Sequence, residues 1–469
     1  MHKAFLGTNR TRSLTLVATG LGFVVVLLDV SVVNVALERL REAFGATISE
    51  LQWVVNAYTL SFAALLLTAG ALGDRFGTRR VFVIGFALFT AASLACGFST
   101  SLNILIVARM MQGLAAAILV PASLSLLNKT FTNPIERSHA VGIWAGVGGI
   151  ALAVGPTIGG ILIQYISWRS IFFINLPIGL VGIALTLRYA PQTPLLGGRS
   201  LDLIGQFAVI VSLGTLTAGV IEAGPMGWST PLVEGFFSIA TVSALAFVFI
   251  EANIKTPMLP LGLFRNSTFT TASVVGVLVN LAFYGFVFVL SLFFQEIKGY
   301  SPVQTGLAFL PMTAVLTVGN IVAGRLMALR GPKLLMVFGQ ALAAFGYLLL
   351  VPVEASTNYL WMVVPMLLAG SGVALTVPPM TNASLSAVGP EKVGVASGVL
   401  NSARQVGGVL GVAIFGYLLS KGNHFSFVYN MHICLQIAAG GLILGSLASV
   451  IWVGRGQKQA IEDQPKAGA

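Results

Sequence analysis

Fourteen long apolar runs, separated by short charged or turn-rich breaks, leave this chain few ways to fold. A helix needs roughly 20 apolar residues to cross the hydrocarbon core, and packed helices satisfy their backbone groups there without water. The runs read 14–37, 50–71, 81–98, 102–127, 140–163, 168–188, 203–222, 232–251, 268–292, 304–327, 333–353, 359–379, 393–418 and 431–453. Composition agrees: 56% of the 469 residues are hydrophobic and 9% charged, against about 25% charge in a soluble domain. The expected fold is an all-α integral membrane protein with 14 transmembrane helices. The 53 glycines suit closely packed spans. A net charge of +11 could serve nucleic acid, but the charge gathers in short loops between apolar runs, so no nucleic-acid partner is expected. With the N-terminus inside, 19 Lys and Arg fall on the cytoplasmic side and 5 outside, which places both termini in the cytoplasm of a bacterial inner membrane. Residues 1–28 resemble a signal peptide, but the run is too long and more spans follow, so an uncleaved first helix is expected. Cys96 and Cys434 both lie in apolar runs and imply no disulfide framework.

An internal repeat orders the spans. AGALGDRFGTRRVFVIG (69–85) aligns without a gap on AGRLMALRGPKLLMVFG (323–339), and Gly146, Gly155 and Gly159 pair with Gly398, Gly407 and Gly411. Related halves are the construction plan of secondary transporters, with the substrate site expected where they meet. The expected organisation is a six-helix bundle over 1–190, two inserted linker helices over 191–266, a second six-helix bundle over 267–455, and a cytoplasmic tail over 456–469.

Charges inside the spans are few and expensive, so each marks a candidate site. Asp29 lies eight residues from the outer end of the first run, and Arg109 seven from the outer end of the fourth. At about 1.5 Å per residue, both sit roughly 10–12 Å below the same face. A titratable acid and a fixed cation at matched depth form a proton-coupling pair. Gln112, Gly113 and Ala116 share a helix face with Arg109. Arg404 stands near mid-depth with Asn401, Gly408 and Gly411 on its face, in a close helix contact with its guanidinium reaching a water-filled cavity or substrate.

LLDVSVVNVAL (27–37), GALGDRFGTRR (70–80), ARMMQG (108–113), GVGGIALAVGPTIGG (146–160), WRSIFFINLPIG (168–179) and NSARQVGGVLG (401–411) together resemble the signatures of the major facilitator superfamily, in its 14-span drug:proton antiporter branch. The resemblance covers nearly the whole chain. It implies a multidrug efflux transporter working by alternating access, with Arg109 gating the protonation of Asp29, and an antiporter-type seal at Gly155, Pro156, Gly159 and Gly160. There are two departures. Glu38 stands where a proline commonly follows the Val-Asn-Val-Ala-Leu run, and the loop Leu419–Asn430 is short where some members carry a large one. The short loop removes one possible docking surface for a periplasmic adaptor, which stays an open but unsupported partner, and a monomer is expected.

The turn Asp74, Arg75, Gly77, Arg79 and Arg80 combines anchoring basic residues with an acid that can cap a neighbouring helix, and so can switch between conformers. Cavity or substrate candidates are Asn34, Trp53, Asn56, Tyr58, Gln112, Asn280, Tyr284, Asn320 and Arg404, the polar or aromatic positions within spans. No GxxxxGK[ST] loop is present, so ATP is not the expected energy source, and the histidines show no metal spacing. No cofactor is expected beyond the proton as coupling ion, and no catalytic constellation suggests an enzyme. The expected cargo is a small amphipathic or hydrophobic compound, which can be cationic. The alternatives are a dedicated exporter of an endogenous metabolite or self-made antibiotic, and a membrane sensor without transport.

Overall fold

The computed structural model describes residues 9–192, 202–254, 257–389, 392–420 and 424–454. Within them the elements are helical, and their boundaries follow local chemistry. Helix α1 runs over Asn9–Phe44. Thr47 and Glu50 form a reciprocal capping box that starts α2, Ile48–Phe76. Gly77, at φ 88°, reverses the chain into α3, Thr78–Gly97, a conformation that favours glycine. Ser101 caps α4, Leu102–Thr130, and Asn133 with Pro134 opens α5, Pro134–Tyr165. The run expected at 168–188 carries α6 (Ser170–Phe173) and α7 (Asn175–Tyr189), joined through Ile174 in a helical conformation and together forming one candidate span.

The inserted pair comprises α8, Leu203–Met226, and α9, Pro231–Asn253. Then come α10, Ser267–Leu292, and a π-helical turn, Phe293–Ile297. The runs expected at 304–327 and 333–353 lie within α11 (Pro302–Leu350), which is two helices meeting at Gly331, whose φ of 72° is not helical. The chain ends with α12 (Tyr359–Ser386), α13 (Val393–Leu419) and α14 (His424–Trp452). Among the described residues, twelve helices are long and apolar enough to cross a membrane, with α11 counted as one.

The chain divides into two compact units, Met1–Ile210 with Phe294–Leu310, and Val211–Phe293 with Pro311–Ala469. In the first, α4 packs on α2 and α3 while α1 packs on α5 and α7. Its core holds Val25, Tyr58, Phe82, Phe86, Phe89 and Leu119. In the second, α10 packs on α13, α14 and α12. Large apolar side chains such as Phe207, Phe249 and Trp361 remain exposed, which suits a lipid-facing surface rather than an aqueous one.

The repeat has a physical counterpart in each unit. Gly77 and its partner Gly331 both take a positive φ. A Cβ on Gly85 would meet the α4 backbone at Leu119, and one on its partner Gly339 would meet α12 at Gly372. Likewise Gly155 and Gly159 seat α5 on α1 at Ser31 and Val32, while Gly407 and Gly411 seat α13 on α10 at Val277 and Leu281.

Candidate functional site

Asp29 is fully buried in the middle of the first unit, and five other elements converge on it. Arg109, from α4, forms an ion pair through Nη1 to Asp29 Oδ2. Gln112, one turn on, donates from Nε2 to Asp29 Oδ1 at 2.7 Å and accepts at Oε1 from Arg109 Nη1 at 2.7 Å. Asn175, at the start of α7, donates from Nδ2 to Asp29 Oδ1 at 3.3 Å. Ser93, from α3, accepts from both amides, at 2.8 Å and 3.2 Å. The Arg109 guanidinium also donates from Nε to the Val54 carbonyl of α2 at 3.2 Å. It lies 4.4 Å from the Tyr58 ring centroid, a favourable cation–π distance, with Phe172 of α6 beyond. Matched depth in two spans thus becomes direct contact.

This contact needs helices that approach closely. A Cβ on Gly113 would fall 2.2 Å from the Tyr58 carbonyl oxygen, so glycine there sets the distance between α4 and α2. Asn175 and Ser93 were not singled out by sequence reasoning. Asn175 could have been found as the lone amide within WRSIFFINLPIG; Ser93 carries no such signal. Replacing Asn175 with Ala is expected to destabilise the protein by about 1–3 kcal/mol, because buried partners lose their donor. Thermal unfolding of the purified protein checks it, with Asn175→Asp as a comparison that adds a second buried acid.

The other candidates fall into separate groups. Asn34 is buried and donates to Val30 O within its own helix at 3.0 Å, and Trp53 is half-buried on α2. Asn56 is fully buried with both amide atoms lacking a hydrogen-bond partner. Neither Asn34 nor Asn56 bonds to Asp29. In the second unit, Asn280 is bonded to Gly276 O at 2.9 Å on α10, Tyr284 follows one turn later, and Asn320 sits half-buried on α11. Arg404 lies against α10 beside Tyr284.

The basic turn is only partly described, because the side chain of Asp74 lies outside the described residues. Arg75 is exposed with its guanidinium 5.5 Å from the Phe76 ring, and Arg80 is exposed. Arg79 donates to the Leu187 carbonyl at the end of α7. Lys129 of α4 donates to Thr78 at 2.7 Å, tying this turn to a second helix end.

The glycines of α5 have two neighbours. Gly148, Gly155 and Gly159 face α1, whereas Gly160 meets Pro302 and Pro156 meets Gly306 at the start of α11. The second contact is reciprocal: a Cβ on Gly160 would lie 2.3 Å from Pro302 O, and one on Gly306 2.3 Å from Pro156 O. Thr157 donates to Gly306 O at 3.3 Å across the seam. Substituting Gly160 with Val is expected to destabilise the protein by about 1–3 kcal/mol or more, because backbone oxygens cannot yield to a side chain. Thermal unfolding of the purified variant checks it.

Near the C-terminal end of α1, Glu38 interacts electrostatically with Glu296 of the π-turn. Arg41 joins them, 2.6 Å from Glu296 and 3.8 Å from Glu38. The acid that replaces the expected proline therefore enters a charged cluster that fastens α1 to this turn.

Comparison with known proteins places this geometry in context. A sequence model of the major facilitator superfamily matches residues 19–412. The multidrug resistance protein Stp of Mycobacterium tuberculosis (strain CDC 1551 / Oshkosh) is 37% identical over 412 residues, covering 88% of this chain and 76% of Stp. The methylenomycin A resistance protein of Streptomyces coelicolor is 37% identical over 428 residues, covering 91% of this chain and 90% of that protein. The solved structure of the E. coli xylose transporter XylE, inward open, matches with a TM-score of 0.65 at 16% identity, covering 94% of this chain and 96% of XylE. That likeness is one of fold.

Proposed function

The chain belongs to the major facilitator superfamily, and from that premise we propose that it exports amphipathic drugs or toxic compounds in exchange for protons. It is a multi-pass membrane transporter, not an enzyme. The observation that carries the coupling is the buried Asp29–Arg109–Gln112 network. Arg109, Gln112 and Asn175 all present N–H donors to Asp29. Protonation removes Arg109's counter-charge and gives the carboxyl a hydrogen to donate toward groups that are themselves donors. The bond set must then rearrange, and it ties together α1, α3, α4 and α7. A local change of charge can in this way bias one arrangement of the helices over another, which is what alternating access requires.

In this reading the twelve spans, α2, and the part of α11 beyond Gly331 make fourteen. They form two six-helix bundles with α8 and α9 inserted, both termini facing the cytoplasm of a bacterial inner membrane. The protein works as a monomer and without ATP. One proton exchanged for a monocation moves no net charge; exchange for a neutral compound adds about 2.3 kcal/mol per 100 mV. The test is dissipation of an imposed pH gradient in proteoliposomes on addition of each compound of an amphipathic panel. Coupling predicts proton movement with some compounds; a gradient indifferent to all of them would point to a non-transporting membrane sensor instead.

The names of several relatives, such as the methylenomycin A and tetracenomycin C proteins, specify one antibiotic. They favour, as a second reading, a dedicated exporter of one metabolite or self-made antibiotic. Susceptibility of a deletion strain to a panel of dyes and biocides separates the two: a dedicated exporter changes little across the panel.

A further inference from the structure

The two arginines inside spans differ in one respect that the exporter reading does not use. Arg109 has a carboxylate, a carbonyl, an amide oxygen and an aromatic face. Arg404 has no carboxylate partner among the described residues. Its Nε is buried without a hydrogen-bond partner. Its one side-chain hydrogen bond, Nη1 to Asn401 Oδ1, is 3.5 Å long. A guanidinium in a spanning helix without a counter-charge is costly, and such charges ordinarily pair or face a wet cavity.

The surroundings hold this group in place. Gly407 and Gly411 bring α13 onto the α10 backbone, and the Arg404 stem crosses Gly276, whose Cβ would lie 3.1 Å from Arg404 Cγ. The guanidinium then stands beside the Tyr284 phenol, whose ring packs on Gly408. The residue as a whole keeps partial exposure. A fixed planar donor and a phenol hydroxyl on one seam form a receptor for a planar anion, since the guanidinium fork matches a carboxylate with two parallel bonds; Asn401 spends its Nδ2 on Ser397 O at 2.9 Å and meets the guanidinium only through Oδ1. Arg404 is eleven residues into α13 from Val393, about 16 Å along the axis, which is deep for a lipid headgroup.

We propose that Arg404, with Tyr284, binds the carboxylate of the exported compound, so that amphiphiles bearing a carboxylate are a preferred cargo class. This rests on the exporter reading and narrows it. The test uses rhodamine B, which carries a free carboxylate, and its ethyl ester, which has the same ring system without the anion. Binding of each to the purified full-length protein in phosphatidylcholine nanodiscs is followed by fluorescence polarisation. Wild type should bind the acid at least about 10-fold more tightly than the ester, the effect of a charged hydrogen bond. Arg404→Gln should lose that preference by weakening the acid alone, Arg404→Lys should keep part of it, and Tyr284→Phe should weaken the acid several-fold.

Equal binding of acid and ester by wild type, or no binding of either, overturns the proposal. So does an equal loss of both in Arg404→Gln with unchanged thermal stability, which would make the residue a packing element. Repeating the titration with phosphatidylglycerol in the nanodisc separates the sources of the anion: if the lipid abolishes the preference, its headgroup is the occupant and the cargo assignment fails. Gradient-driven movement of the acid and of the ester in proteoliposomes is read separately. If neither is moved but the acid preference in binding holds, the exporter reading is at fault and the anion receptor stands.

Discussion

Replacing Asp29 with Asn is expected to abolish pH-driven export while the protein still accumulates in the membrane. The amide keeps nearly the shape of the acid and can still accept from Gln112 and Asn175, which now bond to Asp29 Oδ1. It cannot take up or release a proton, and it carries no charge for Arg109. Removing one partner of a buried ion pair ordinarily costs about 3–5 kcal/mol, because the other charge is left uncompensated. The thermal transition should therefore fall as well. A double replacement, Asp29→Asn with Arg109→Gln, removes the orphaned charge and should restore much of that stability without restoring export. The measurement is substrate-driven dissipation of a pH gradient in proteoliposomes, beside thermal unfolding of each purified variant. Wild-type proton movement in Asp29→Asn would eliminate this residue as the proton carrier.

The second large effect is expected at a residue with no polar chemistry. Gly113→Ala adds one methyl group, yet its Cβ would lie 2.2 Å from the Tyr58 carbonyl oxygen and 2.9 Å from the carbonyl carbon. Those are backbone atoms of α2, so no rotamer change relieves the clash and the two helices must part. Overpacking of this kind costs about 1–3 kcal/mol and occasionally more. Arg109 lies one turn away on the same helix and holds α2 through the Val54 carbonyl and the Tyr58 ring. Separation would lengthen both contacts and move the guanidinium relative to Asp29. Stability and transport should fall together. Gly142→Ala is the matched control, because nothing lies within 4 Å of a Cβ there; it should behave as wild type in both assays. If Gly113→Ala transported normally, close approach of α2 and α4 would not be what positions the arginine.

The site was legible in the sequence to the extent that polar groups are conspicuous in an apolar background. Asp29, Arg109 and Gln112 stand out because the surrounding residues cannot share their chemistry, and helical rise alone gives their relative depth. Asn175 and Ser93 are ordinary residues in composition. They matter because the packing of α7 and α3 on α1 and α4 brings Asn175 to the carboxylate and Ser93 to the amides that hold it. Glu38 was visible as an acid in place of a proline, but its partner Glu296 is more than 250 residues away. The glycines of α5 were visible as a small-residue stripe; which neighbour each one meets was not.

Hydrophobic run length, loop charge and the repeat of basic turns determined from sequence alone that this chain is a bundle of membrane helices with internally related segments. These signals are local: a bilayer imposes a fixed length on each span, and a charge near a span end has one cheap side. Tertiary structure decided which side chains meet. It surrounded Arg109 with a carboxylate, an amide, a carbonyl and an aromatic ring, and left Arg404 without a carboxylate among the described residues. That difference depends on which helix faces lie against each other and at what rotation, and many spans of similar hydropathy could be arranged in other ways.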